Sequence, residues 1–199
     1  MDRPIPDDFE KAIVGSPLLA PILARWDDMS LPDCWLVAGA VAQTYWNQAH
    51  KLPSTHGIKD VDVVYFDADD TSEEAEVAHG LRVQQLFEDL PVGFDVKNEA
   101  RVHLWYKKKF GYAIRPYTST KSAIATFPTT AGAIGIQPYM NSLQIYAPFG
   151  LEDLLGLIVR PNKTQISPAI YTSKVERWQP IWPHLKIIAW DDDRVVPRL

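Results

Sequence analysis

The chain has 199 residues, 46% of them hydrophobic and 23% charged, with a formal net charge of -5 at pH 7. These proportions exclude disordered, collagen-like and coiled-coil classes for most of its length and suit a globular domain that buries roughly 70% of its unfolded surface. A single cysteine, Cys34, allows neither an internal disulfide nor a cysteine-based zinc cluster, and the acidic balance argues against general nucleic-acid binding while leaving room for a nucleotide.

Residues 5 to 29 read as helix, with Phe9, Ala12, Ile13, Leu18, Leu19, Ile22, Leu23 and Trp26 at three- and four-residue steps and with Pro17 and Pro21 dividing it in two. Leu31-Pro32-Asp33 is a turn. Trp35 to Ala38 is a short apolar run, either a buried strand or the entry to a helix over Ala40 to Ala49, with Gly39 between. A loop follows from Lys51 to Lys59. Val61 to Phe66 is the clearest strand, β-branched and aromatic. Thr71 or Ser72 caps a helix from Glu73 to Leu90, whose acidic first turn suits the helix dipole.

A second strand is expected over Val92 to Lys97, then a helix capped by Asn98 and ended by Gly111, and a short helix over Ser119 to Phe127. Ala133 to Gln137 and Leu143 to Tyr146 pair as strands across Pro138 to Ser142. Leu151 to Ile158 and Val175 to Trp182 read as helices, and Leu185 to Trp190 as a strand. The alternation predicts an α+β (or α/β) domain with a small mixed sheet flanked by helices. One domain covers residues 1–199, with a core at about 31–165, a helical segment over 1–30 and an extension over 166–199.

The charges are uneven. Asp60 to Leu81 holds eight acids and no Lys or Arg, whereas Lys97 to Arg115 holds six bases against Glu99 alone. Two solvated faces would explain this, as would metal-binding carboxylates beside cations that meet an anionic ligand. Asp60 and Asp62 stand two apart on a strand and so face one way. Two adjacent carboxylates repel each other, and a divalent cation between them would relieve the repulsion. Their hard oxygens suit Mg2+. Asp95, in Phe94-Asp95-Val96, would complete a three-carboxylate site for two ions if the strands are neighbours. Gly39-Ala40, opening a helix, would let backbone N–H groups approach a triphosphate.

This order of features resembles the nucleotidyltransferase superfamily related to DNA polymerase beta, where a Gly-Gly or Gly-Ser turn precedes a strand with Asp-x-Asp and a third acid follows on a later strand. More closely, the chain looks like a family of bacterial nucleotidyltransferase-like proteins. The matching stretches run from Ala38-Gly39-Ala40-Val41 and Trp46 through Ile58 to Asp67 and Val96 to Tyr106. They continue with Pro128-Thr129, Tyr146 to Leu154 and Val159 to Asn162. The resemblance implies a polymerase-beta-like fold and two Mg2+ (or Mn2+) ions held by Asp60 and Asp62. Asp95 would be the third ligand, orienting the acceptor and helping to deprotonate its hydroxyl. Here Ala40 replaces the second Gly or Ser, Ala42-Gln43 replaces Arg-Asn, and the interval to Asp60 is longer.

Several neighbours are candidate substrate contacts. Lys59 abuts the carboxylates and either meets a phosphate or relieves their repulsion. Asn98 follows Asp95 closely as a further substrate contact, and Arg101, one turn beyond it, either reaches a phosphate or pairs with Glu99 or Asp95. His103 is a proton carrier, a substrate contact or a structural histidine. The expected reaction is transfer of a nucleoside monophosphate from an NTP to a small-molecule or protein hydroxyl, or to an RNA end, in the cytoplasm, with pyrophosphate release and no membrane; the acidic charge makes long RNA the least favoured acceptor. Two alternatives remain at this point. One is a non-catalytic nucleotide-binding module of the same fold. The other is a haloacid-dehalogenase-like phosphatase using Asp67, since Val63 to Thr71 imitates its strand and acidic loop.

Overall fold

The computed structural model describes residues 5–140 and 142–192. The first four residues of the N-terminal segment, the last seven of the C-terminal extension, and Asn141 in the expected turn lie outside them. The elements in chain order are α1 (Asp7–Val14), α2 (Leu19–Ala24), β1 (Trp35–Val37), α3 (Ala38–Ala49), β2 (Asp60–Tyr65), α4 (Glu73–Leu86) and β3 (Gly93–Asn98). They continue with α5 (Val102–Phe110), α6 (Thr120–Ile124), β4 (Gly135–Tyr139), β5 (Ser142–Tyr146), α7 (Glu152–Leu155), β6 (Ile158–Val159), α8 (Pro168–Trp178) and β7 (Lys186–Ile187). Short 3-10 turns occupy Trp26–Met29 and Glu99–Arg101.

Five strands form one mixed sheet in the order β3-β2-β1-β4-β5, and β6 pairs with β7 apart from it. Only β2 and β3 run parallel within the large sheet, which the crossover through α4 requires. This is the α+β architecture with a mixed sheet that the element pattern predicts. Ser72 caps α4 by accepting from the Ala75 N–H at 3.3 Å, and Gly111 ends α5 at a φ of 88°.

The two sheet faces differ in kind. Val61, Val63 and Tyr65 of β2, with Leu36 and Val96, face a large apolar core shared with α1, α3 and α4, where Phe9, Ile13, Val41, Val83 and Phe87 are buried. The opposite face carries a much smaller apolar cluster of Trp35, Val37, Val64 and Ile124. Beyond it, that face carries Asp60, Asp62, Asp95 and Lys97 at the β2–β3 end and the paired amides of Gln137 and Gln144 at the β4–β5 end.

The sequence pattern places the last helix too late. It begins at Pro168, behind Ser167 at the cap position, and buries Tyr171, Val175 and Trp178. Proline at a first helical position lacks only an N–H that would be unpaired anyway. Beyond the helix, Trp182 is fully buried and donates its indole N–H to Asn47 Oδ1 at 2.7 Å. Trp46 of α3 lies between Trp178 and Trp182, with ring centroids 5.4 and 5.5 Å away. The Asn47 amide also donates to the carbonyls of Ser54 and His56, which ties the 51–59 loop to the same point. Gly57 fits there because its φ is 72° and a Cβ would meet Ile181 at 2.8 Å.

Trp182→Ala should therefore lower stability by roughly 3–5 kcal/mol, as read from urea unfolding monitored by circular dichroism. Loss of less than about 1 kcal/mol would show that the C-terminal segment is not bound into the core as described.

Candidate active site

Register does the positioning. Asp62 of β2 lies opposite Asp95 of the parallel β3, and opposite Val37 of the antiparallel β1. Partners in register share a face, so Asp60, Asp62 and Asp95 all project from the polar side of the sheet. Val37 is also the last residue before the turn into α3, and Gly39 consequently folds over Asp62. The Gly39 N–H donates to the Asp62 carboxylate. A Cβ on Gly39 would stand 3.6 Å from Asp62 Oδ2 and 3.2 Å from Gln43 Nε2, so the glycine keeps this approach open. The turn is tight enough that Ala38 adopts a φ of 52°, a left-handed conformation costing an alanine about 1–2 kcal/mol.

The electrostatics follow from that packing. Burial pushes the Asp62 carboxyl up to about 7, and the charges of Asp60 and Asp95 add to the push, against Lys174 and the Gly39 N–H. Asp95 Oδ1 is met by Lys97 Nζ at 2.7 Å. Among the described residues, no three His, Cys, Asp or Glu side chains converge as a ready-made metal cage. The donor chemistry still fits a hard divalent cation. Mutually repelling carboxylates share one face, and the one at the centre is held above its ordinary range first by burial and then by its neighbours' charges.

The N-terminus of α3 carries no side-chain cap; the Ala38 N–H donates to the Ile134 carbonyl at 3.0 Å, and Ala38 and Gly39 both border a pocket beside Asp62. That pocket is narrow, about 80 Å³, and is bounded by Gly39, Asp60, Asp62, Thr129, Lys174 and Arg177 among others. Trp46 and Trp178 also line it, and their indole N–H groups find no hydrogen-bond partner among the described residues.

Lys174 and Arg177 of α8 are functional candidates that the sequence reading misses. Burial and the neighbouring Arg177 lower the Lys174 pKa, while Asp62 and Asp60 oppose that shift. A signal was present. Tyr171, Val175, Trp178 and Trp182 recur at steps of four, three and four, which marks a buried helical stripe. Lys174 and Arg177 each precede one of its members.

Glu99 is a second omission. It is 6% exposed and lines a larger neighbouring cavity. Burial pushes its carboxyl up to about 8, reinforced by Glu76, Asp62 and Asp95 and opposed by Lys97.

The other sequence candidates are placed differently. Ala40 is fully buried in the main core, and its carbonyl accepts from Thr44. Lys59 is exposed, and His103 is part-buried on the first turn of α5, outside both cavities. Asn98 is a clasp. Its side chain binds the backbone of Asp67, Asp70 and Ala100. Arg101 is paired, as one reading expected, but with Glu76 rather than Glu99 or Asp95. Its Nη1 lies 2.6 Å from Glu76 Oε1, and its Nε donates to the Thr71 carbonyl. Glu76 Oε2 in turn accepts from the Asn98 N–H at 2.8 Å. These contacts lock the end of β3 against α4. Asp67 caps its own turn by accepting from the Asp69 and Asp70 N–H groups.

A mixed sheet with paired acids under a glycine turn at a helix start defines the nucleotidyltransferase class with a polymerase-beta-like fold. The family model described as "Nucleotidyltransferase" matches residues 24–187, and the chain belongs to that family. It is a nucleotidyltransferase and uses an NTP. A solved structure described as revealing a CCA-adding enzyme head domain is 26% identical, with a TM-score of 0.78 over 93% of this chain and 96% of that one. No curated protein matches this chain. No helix among the described residues is long and apolar enough to cross a membrane.

Removing the buried charges should change the pH dependence of stability. A carboxyl raised in the folded state binds its proton more tightly than in the unfolded chain, so its penalty is absent at low pH. The penalty grows as pH rises from about 4 and is complete above the folded value. Without added metal, Asp62→Asn and Glu99→Gln should each raise the melting temperature at pH 8.5 and change it much less at pH 4. Equal shifts at both pH values would contradict the charge assignment.

Proposed function

We propose that this nucleotidyltransferase transfers a nucleoside monophosphate from a metal-bound NTP to a hydroxyl acceptor, releasing pyrophosphate, at the face shared by Asp60, Asp62 and Asp95. The observation that carries this reading is the register pairing of Asp62 with Asp95 beneath Gly39, with Lys174 and Arg177 across the pocket. Asp60 and Asp62, with Asp95, would hold one or two Mg2+ ions, which when bound neutralise phosphate charge and orient the reacting oxygens.

The chain's own groups account for the rest. The open space over Gly39 lets the triphosphate approach the start of α3, whose dipole favours an anion there. Lys174 and Arg177 add cationic contacts to the same phosphates, and Lys174 gains a full reason to stay protonated once an anion is beside it. The acceptor oxygen bonds to the α-phosphorus, and the bond from that phosphorus to the bridging oxygen breaks in line, so pyrophosphate leaves. The acceptor hydroxyl proton passes to a carboxylate, a role Asp95 would take by giving up its contact with Lys97. The same register supports catalysis over a purely regulatory module, because all three carboxylates are present on one face. A phosphatase reading through Asp67 is disfavoured, since that side chain is engaged in its own turn.

Calorimetry with each NTP and Mg2+ tests the site. Asp62→Asn should lower NTP affinity at least roughly tenfold through loss of a charge-assisted contact, while the circular dichroism spectrum stays native. Lys174→Met should weaken binding to a similar degree without changing the metal requirement. Unchanged affinity in a folded Asp62→Asn protein would remove the basis for the assignment.

A further inference from the structure

Two cavities open on the polar face of the sheet, and they share a wall made of Phe127, Pro128, Lys174 and Arg177. The first holds Asp60 and Asp62 and, at about 80 Å³, has room for ions and phosphate oxygens but not for a nucleoside. The second is about 630 Å³, within the ~300–1,000 Å³ of small-ligand sites. Its walls are rich in rings, notably Trp105, Tyr106, Phe110 and Tyr117. Aromatic faces of this kind suit a flat base, which gains stacking energy on them whatever its edge carries.

The polar groups of this cavity are unequally engaged. Tyr117 Oη contacts Thr126 Oγ1 at 2.8 Å and accepts from Gln165 Nε2 at 2.8 Å, so those three satisfy one another. Lys97 is taken by Asp95. Lys174 and Arg177 lie on the wall shared with the phosphate side. Glu99 is different: it is 6% exposed, its side chain makes no hydrogen bond or ion pair among the described residues, and it borders the cavity with Lys97 as its favourable neighbouring charge. A buried carboxylate in that state is costly and is matched by donors from a ligand.

We propose that the second cavity holds the nucleobase of the bound NTP and that Glu99 selects guanine. Guanine is the base that offers two adjacent donors, N1–H and the 2-amino group, to the two oxygens of one carboxylate. Adenine, cytosine and uracil each present at most one such donor beside an acceptor, which would face carboxylate oxygen unfavourably. The nucleotide then spans both cavities, with its phosphates against Lys174 and Arg177 and its base between the rings. Binding also gives the Glu99 carboxyl the two donors that its described neighbours do not supply. Glu99 acts in selection and takes no part in the transfer step.

This inference rests on the nucleotidyltransferase site described above. The test is calorimetry with Mg2+ and no acceptor, comparing GTP, inosine triphosphate, ATP, CTP and UTP. Inosine triphosphate differs from GTP only by lacking the 2-amino group. The wild-type protein should bind GTP at least roughly tenfold tighter than inosine triphosphate, the cost of one charge-assisted hydrogen bond, and tighter than the other three. In Glu99→Gln the GTP preference over inosine triphosphate should fall to within about twofold, as expected when one carboxylate acceptor becomes a donor. If that variant does not fold, the wild-type ratio decides alone. Equal wild-type binding of GTP and inosine triphosphate, or tightest binding of ATP, CTP or UTP, overturns guanine selection and leaves the transferase site standing. Failure of every nucleotide to bind overturns both.

Discussion

Like charges held side by side on a protein surface need a reason, and here the reason is built into strand pairing. The parallel register of β2 and β3 sets Asp62 beside Asp95, and Asp60 follows on the same face because side chains alternate along a strand. Antiparallel pairing with β1 then brings Gly39 over the middle carboxylate. A slip of β2 by one residue would send Asp60 and Asp62 into the apolar core and bring Val61 and Val63 out of it. The large core beneath the sheet therefore fixes the polar face above it, and the repulsion between the acids is tolerated because the core leaves no alternative.

The surroundings divide into groups that hold the site and groups that face it. Glu76, Arg101 and Asn98 form a buried, hydrogen-bonded set joining α4 to the end of β3. Arg101 is spent on this task, and its rigid fork is suited to it. Lys174, Arg177 and Glu99 have few such commitments and line cavities. Cationic side chains on α8 thus serve the acids of β2 across a gap that neither element could close alone.

Much of this was legible in the sequence. Val61 to Phe66 announces a strand by composition, and the Asp60–Asp62 spacing announces a shared face. Asp95 could be placed once its strand was recognised. The missed residues share one physical trait, since their positions depend on contacts remote in sequence. Lys174 meets Asp62 only because Trp178 and Trp182 pack on Trp46, more than 120 positions earlier along the chain. Arg101 finds Glu76 across a strand crossover, where a local reading sees only Glu99 and Asp95. Glu99 looks like an ordinary surface acid until the turn at Glu99–Arg101 directs it inward. Local periodicity gives elements and faces, whereas the choice of partner belongs to the assembled core.

The anchoring of α8 through Trp182 also has a temporal side. During translation the five strands leave the ribosome well before the segment from Pro168 to Trp182. A nascent chain can assemble its sheet, with the acids in register, while the opposing cations are still inside the exit tunnel. The facing of those acids by Lys174 and Arg177 is thus the last feature to form, and it waits on one indole reaching Asn47.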